Sequence, residues 1–175
     1  LKILNIKKLI EDKKAKSKSF FLKDNYKHSN YKMIKFLEKI YIKTKKDLRI
    51  CLHENSLDKH HDMIILQQKK NFYLPHKHLK KGETYHIIKG SMASILFNNN
   101  GKIKKIIKLV KDDIFRTPLN TYHTMLPLTK FVIYHESKIG PFLKKNDSIF
   151  PKWNYKFNNN LEINAFKKKV MNSIR

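Results

Sequence analysis

The chain has 175 residues, a length that favours one domain, and its 39 Lys and Arg against 14 Asp and Glu give a net charge of +25. At 41% hydrophobic and 11% aromatic it has enough apolar material for a core, which excludes wholesale disorder; four Gly and five Pro exclude a collagen-like or linker-like chain. The single cysteine, Cys51, cannot form an internal disulfide, so a reducing, cytoplasmic setting is expected.

No apolar run approaches the ~20 residues that cross a bilayer. The opening LKILNIKKLIEDKK is interrupted by lysines and lacks a signal peptide's apolar centre. It begins at Leu1 rather than Met, and is read as starting inside a longer chain. Lysine is spread over the whole sequence among many Ile and Asn, while Arg occurs only at Arg49, Arg116 and Arg175. There is no basic stripe and no zinc-finger spacing, so the charge reads as a solvated lysine coat and nucleic acid is not the expected partner.

Residues 1–46 read as a helical arm covering the domain. Leu1, Ile3, Leu4, Leu9 and Ile10 have a helix-like spacing, and after the polar stretch Asp12 to Lys18 the residues Met33, Ile34, Phe36, Leu37, Ile40 and Ile42 recur at three and four. From residue 47 the texture changes to short apolar runs rich in Ile, Val, Thr, Tyr and Phe. Strands are expected at 48–52, 63–68, 71–76, 84–89, 92–97, 103–110, 114–117, 123–126 and 130–136. Asn98-Asn99-Asn100-Gly101 is a hairpin turn and Lys111-Asp112-Asp113 another. This pattern predicts an all-β sandwich or barrel over 47–153. The tail, 154–175, follows a packing anchor at Trp153; Asn160 is the expected N-cap of a helix through Leu161, Ile163, Phe166, Val170 and Met171.

The chemistry concentrates in Pro75-His76-Lys77-His78-Leu79-Lys80-Lys81-Gly82-Glu83. On an extended segment residues two apart share a face, so His76 and His78 project together, and Glu83 opens the next strand beside them. Two imidazoles and a carboxylate suit a divalent transition metal. After the proline-marked turn at Pro118, His123 could complete a set of three His and one Glu. The ion, among Fe, Mn, Zn and Ni, stays open. Tyr85 shares the parity of Glu83 and is expected inside, where Arg116 could clamp a carboxylate or phosphate with its planar fork. Tyr134 and Glu136 share a face and are candidates for acid or base. Plain alternatives stand beside these: core filling for Tyr85 and Tyr134, a salt bridge for Arg116. His86 has the opposite parity and reads as packing or interface. His60 and His61 read as an exposed turn, and His53 as a residue near the mouth of the barrel. Of His135 and Glu136, one should face the cavity.

His-x-His, four residues, Glu, six residues, Gly resembles the first cupin motif, matched by His76, His78, Glu83 and Gly90. Pro118 and His123 match the second, Pro-x-Gly-x-x-His, with Asn120 in place of its glycine; Asn also tolerates positive φ. Leu52-His53-Glu54, Asp62-Met63, Glu83-Thr84-Tyr85-His86 and Glu136-Ser137-Lys138-Ile139-Gly140-Pro141-Phe142 make the chain similar to the WbuC family of cupin metalloproteins, associated with lipopolysaccharide O-antigen biosynthesis. The resemblance implies a jelly-roll β-barrel with one metal held by His76, His78, Glu83 and His123. It further implies action on a sugar or sugar nucleotide in O-antigen or capsule synthesis, by metal-assisted acid/base chemistry. An iron-dependent dioxygenase of a small molecule, and a non-enzymatic metal- or carbohydrate-binding module, are the alternatives. The positive coat would draw an anionic sugar, and edge-strand pairing makes a homodimer the expected assembly.

Overall fold

The computed structural model describes residues 8–13, 15, 17–143 and 147–174. Leu1, Ile3 and Leu4 of the expected first helix lie outside them. The described part of that segment is not helical: Leu9–Asp12 (β1) and Lys18–Leu22 (β2) form an antiparallel hairpin instead. In β2, Phe20 and Leu22 alternate onto one face and are buried, and the strand runs parallel to Leu48–Cys51 (β3), with Phe20 opposite Ile50. Burying two large side chains against a sheet outweighs a weak, lysine-interrupted helical period.

The second half of the arm is helical as its periodicity predicts. Helix α1, Tyr31–Thr44, starts at Asn30, whose side chain accepts from the Lys32 N–H, and it buries Met33, Leu37 and Tyr41. The remaining strands are His60–Gln68 (β4), Glu83–Lys89 (β5), Met92–Phe97 (β6), Ile103–Leu109 (β7), Ile114–Thr117 (β8), Tyr122–Pro127 (β9) and Phe131–Ile139 (β10). A 3-10 helix at Lys152–Phe157 then leads into α2, Asn160–Ser173. The cap of α2 is Asn159, one residue before the expected Asn160; its side chain accepts from the Glu162 N–H. No helix among the described residues is long and apolar enough to cross a membrane.

The core is all-β, with a helix before it and a short helix after it. The strands form two sheets, of order β1-β2-β3-β4-β10-β5-β8 and β7-β6-β9. The expected closed barrel does not form: no ladder joins the two sheets among the described residues. One reason lies in the segment expected as a strand at 71–76. It is irregular, Pro75 has no N–H to donate, and only His76 and Lys77 make bridges, to His123 and Ile149.

Alternation along the strands sorts the side chains into layers. Leu48, Ile50, Ile64, Leu66 and Ile133 leave the large sheet on the outside and pack with Phe20 and Leu22 under α1. Ile87, Val132, Tyr85 and Tyr134 leave it on the inside and meet Met92, Leu109 and Met125 of the small sheet. The outer face of the small sheet carries Ala93, Ile95, Phe97 and Leu126, covered by Trp153, Phe157 and Val170. At the turn between β5 and β6, Gly90 has φ +82°, and a Cβ there would lie 2.7 Å from the Phe131 carbonyl oxygen.

Candidate metal centre

The inner face of β5 presents Glu83, Tyr85 and Ile87 in alternation, so its first residue delivers a carboxylate to the end of the space between the sheets. The neighbouring strand end, on β9, delivers His123. The bridge between His76 and His123, with each residue's N–H bonded to the other's carbonyl at 2.9 and 3.1 Å, sets the two imidazoles side by side. His78 lies two residues further on, and its carbonyl accepts from the N–H of Asn120 at 2.9 Å. Asn120 has φ 53°, so it adopts the left-handed conformation that the glycine of the motif would supply, and the turn reaches His123 intact.

The four side chains converge. One donor atom from each of His76, His78, Glu83 and His123 lies within 4.8 Å of every other. Ring centroids are 5.0 Å apart for His76 and His78 and 4.8 Å for His76 and His123. Glu83 and His123 are almost fully buried, at 3% and 1% exposure, while His76 is half-buried and opens the cluster to the surface.

Each imidazole is oriented by the protein backbone. The Nδ1 atoms of His76, His78 and His123 meet the carbonyl oxygens of Leu74, Asp147 and Thr121 respectively. A carbonyl only accepts, so each Nδ1 carries the proton and, in the neutral ring, Nε2 presents a lone pair. His78 Nε2 is buried and hydrogen-bonded to nothing, although Glu83 Oε1 lies 3.0 Å away, outside hydrogen-bond direction. His123 Nε2 approaches Glu83 Oε2 at 3.2 Å. Three nitrogens and one carboxylate, each nitrogen backed by a second hydrogen bond, are the donor set and outer support of a first-row transition-metal site. The residues present fit such an ion.

Electrostatics agree with ligand roles at Glu83 and His76; at His78 burial favours the neutral ring, but the Glu83 carboxylate beside it raises the imidazole above its ordinary value. Burial opposes the charge on Glu83, but the His123 and His78 rings beside it and the nearby Lys138 ammonium hold its carboxyl well below the usual range. Burial, with His123 beside it, pushes His76 down to about 4, so its imidazole is neutral at physiological pH. Burial, together with the charges of Glu83 and Glu136, holds the Tyr85 phenol well above its ordinary value. Its hydroxyl therefore donates to Glu83 Oε2, at 2.7 Å.

The other candidates divide by face. Glu136 and Tyr134 lie on the inner face of β10, and the Tyr134 hydroxyl donates to Gln67 Oε1 at 3.3 Å. Burial raises the Glu136 carboxyl above its ordinary value, Lys138 pulling against this and Glu83 adding to it. His135 faces outward and pairs with Asp62 at 2.9 Å. Arg116 is not brought to the cluster. It pairs with Thr84, whose parity is opposite to Glu83, so it sits exposed on the outer face with its guanidinium against Gly82. His61, expected in an exposed turn, is instead buried, because β4 begins at His60 to pair with Lys138 and Ile139 of β10. His61 stacks on His53, with centroids 4.1 Å apart and planes 3° from parallel. His86 is half-buried on the outer face, as its parity predicts.

Sequence reasoning missed an ionic group beside the cluster. The Lys138 ammonium lies 3.4 Å from Glu83 Oε1, 3.7 Å from Glu136 Oε1 and 3.5 Å from Asp147 Oδ2. Asp147 also pairs with Lys81 at 2.7 Å. The signal for Lys138 was present, since it continues the inward parity of Tyr134 and Glu136. No periodicity pointed to Asp147, which follows β10 in the chain.

The sequence model of one family, described as a domain of unknown function (DUF6016), matches residues 37–109, which include His76, His78 and Glu83 but not His123. No curated protein matches the sequence. Among solved structures the chain is similar to KdgF from Halomonas sp., with a TM-score of 0.45 and 14% identity over 57% of this chain and 83% of that one. It is also similar to a cupin-2 domain containing protein from Shewanella frigidimarina, with a TM-score of 0.42 and 10% identity over 51% of this chain and 78% of that one. A third is CapF, a capsular polysaccharide assembling protein from Staphylococcus aureus, with a TM-score of 0.46 and 16% identity over 54% of this chain; the match spans 27% of CapF.

Proposed function

We propose that His76, His78, Glu83 and His123 bind one divalent transition metal, and that the protein acts there on a small hydroxyl-bearing molecule. A sugar or sugar nucleotide of surface-polysaccharide synthesis is the substrate class, and the reaction is a metal-assisted proton transfer. The observation that carries the metal reading is the common orientation of the three imidazoles. Every Nδ1 meets a backbone carbonyl, which leaves Nε2 as the donor nitrogen of each ring, and the four side chains bring one donor atom each within 4.8 Å of one another. The WbuC-like sequence pattern supports the pathway.

When bound, the metal would supply a Lewis acid that polarises a carbonyl or a pair of hydroxyls. The chain's own residues supply the rest. Glu136, whose carboxyl is raised by burial, is the group to exchange a proton with a substrate C–H or O–H. The Tyr134 hydroxyl and Gln67, joined to each other, offer hydrogen bonds to substrate hydroxyls beside it. These polar groups on the inner face favour a polyhydroxylated substrate over an apolar one. Tyr85 holds Glu83 in place by its 2.7 Å hydrogen bond and takes no part in proton transfer, since its phenol stays protonated.

The test is elemental analysis of protein purified without added metal, followed by incubation with a panel of sugar nucleotides with and without oxygen. About one metal ion per chain in the wild type, its loss in His76→Ala and His78→Ala, and oxygen-independent conversion of a sugar nucleotide are expected. Full metal content in both variants would sink the metal assignment. Oxygen consumption coupled to turnover would replace the proton-transfer reading with the dioxygenase one.

A further inference from the structure

Lys138 is placed unusually for a lysine. Its side chain is 14% exposed, and it stands in the layer directly behind the candidate ligands rather than at the surface. Its ammonium reaches three carboxylates on three different segments: Glu83 at the start of β5, Glu136 two residues before it on β10, and Asp147 in the segment after β10. Lys81 takes the other oxygen of Asp147, at 2.7 Å, and also donates to the Pro141 carbonyl, so it fixes Asp147 from the far side. The Asp147 carbonyl in turn accepts from Nδ1 of His78. One lysine therefore links the proposed ligand carboxylate of Glu83, the inward Glu136 and Asp147, whose carbonyl orients the His78 imidazole.

The charge in this layer matters for an ion bound in front of it. The Glu83 carboxylate is divided between two sets of partners. Oε2 accepts from Tyr85 and lies 3.2 Å from His123 Nε2, while Oε1 lies between His78 Nε2, at 3.0 Å, and the Lys138 ammonium, at 3.4 Å. A cation held by the same carboxylate would share it with that ammonium, in a space where water does not screen them. Resting on the proposed metal centre, we propose that Lys138 is a positioning residue that sets how tightly the centre holds its metal: its fixed positive charge, shared through Glu83, weakens the ion's hold and keeps it exchangeable. Glu136 and Asp147 have the opposite sign and act in the opposite direction, and Lys138 balances them.

The experiment measures Zn(II) affinity by chelator competition, with the Co(II) visible spectrum as a readout of coordination geometry, in wild type and three variants. Lys138→Met removes the charge and keeps the chain length; it should bind Zn(II) about tenfold or more tightly, with the Co(II) spectrum unchanged. Lys138→Arg keeps the charge and should bind within about threefold of wild type. Glu136→Gln removes a balancing negative charge without changing size, and should bind more weakly by about tenfold. If the Met variant does not fold, Lys138→Gln, which also removes the charge, takes its place with the same expected tightening and the same overturning results. A merely structural lysine predicts the reverse for Lys138→Met, namely looser binding and an altered Co(II) spectrum as Glu83 is released; that result, or unchanged affinity in Lys138→Met or Glu136→Gln, overturns the inference. If the wild type binds metal and only these variants disobey, the metal centre stands and the role of Lys138 falls. A wild type that binds no divalent metal overturns both.

Discussion

Replacing Tyr85 with Phe removes one oxygen and nothing else. The ring stays in its buried place, 5.7 Å from the Tyr134 ring in an edge-to-face arrangement. The loss is the hydroxyl that donates to Glu83 Oε2 at 2.7 Å. Glu83 is charged and almost fully buried, so water does not replace the lost donor. A hydrogen bond to a charged group is worth about 1.5–3 kcal/mol, and an unmatched buried acceptor costs the upper part of that range. For a chain of this size a loss of about 2 kcal/mol lowers Tm by roughly 4–8 °C. The same hydroxyl supports the carboxylate proposed as a ligand, and loss of such outer support is expected to weaken metal binding about 10- to 100-fold. The assay is thermal unfolding in chelator, which isolates the first effect, and then Zn(II) titration, which reports the second. Because the phenol is held well above its ordinary range, both effects should be flat across neutral pH. A Tyr85→Phe protein with wild-type Tm and wild-type metal affinity would show that Glu83 is oriented without Tyr85, and the account of the centre's support would be wrong.

Packing and titrating groups set further expected outcomes. Leu37→Ala empties a fully buried position between α1 and the large sheet, and denaturant unfolding should report a loss of about 2–5 kcal/mol. Asn120→Ala puts a Cβ without a helpful side chain at φ 53°; it should cost about 1 kcal/mol by the same method, and Asn120→Gly should not. His53 is buried and stacked on His61, and burial pushes its imidazole down to about 4. The unfolded chain takes up this proton at a higher pH than the folded one. The neutral pair therefore costs nothing above about pH 6.5, and stability falls as pH drops from there toward about 4, by up to roughly 1.4 kcal/mol per pH unit. His61 shifts in the same direction, again through burial. His53→Phe should flatten the stability profile between pH 6.5 and 4, and an unchanged slope would place the acid sensitivity elsewhere.

Much of the fold is legible in short-range pattern. Strand positions such as Met92–Phe97 and Ile114–Thr117, the turn at Asn98 to Gly101, and the helix around Met33, Leu37 and Tyr41 coincide with runs in which side-chain period and turn residues agree. The parity of Glu83, Tyr85, Tyr134 and Glu136 along their strands was equally readable, because alternation is local geometry. The arm before α1 was not. Phe20 and Leu22 become strand residues only because β3 and α1 stand ready to bury them, and a single sequence carries no mark of that partnership. The buried state of His61 and the outward turn of Arg116 have the same origin, since each depends on which strand lies alongside.

By itself, then, the sequence determined the donor chemistry: three imidazoles and a carboxylate in a spacing suited to one ion, with Asn120 able to make the turn. Tertiary structure alone decided the surroundings of those donors. The two sheets stay open rather than closing into a barrel. Backbone carbonyls from Leu74, Thr121 and Asp147 set the three rings. Lys138 gathers Glu83, Glu136 and Asp147 behind them. The division is physical. Which residues can bind a metal is a property of their atoms and local spacing, whereas their proton positions and local charge depend on groups brought near by folding from up to 69 residues away.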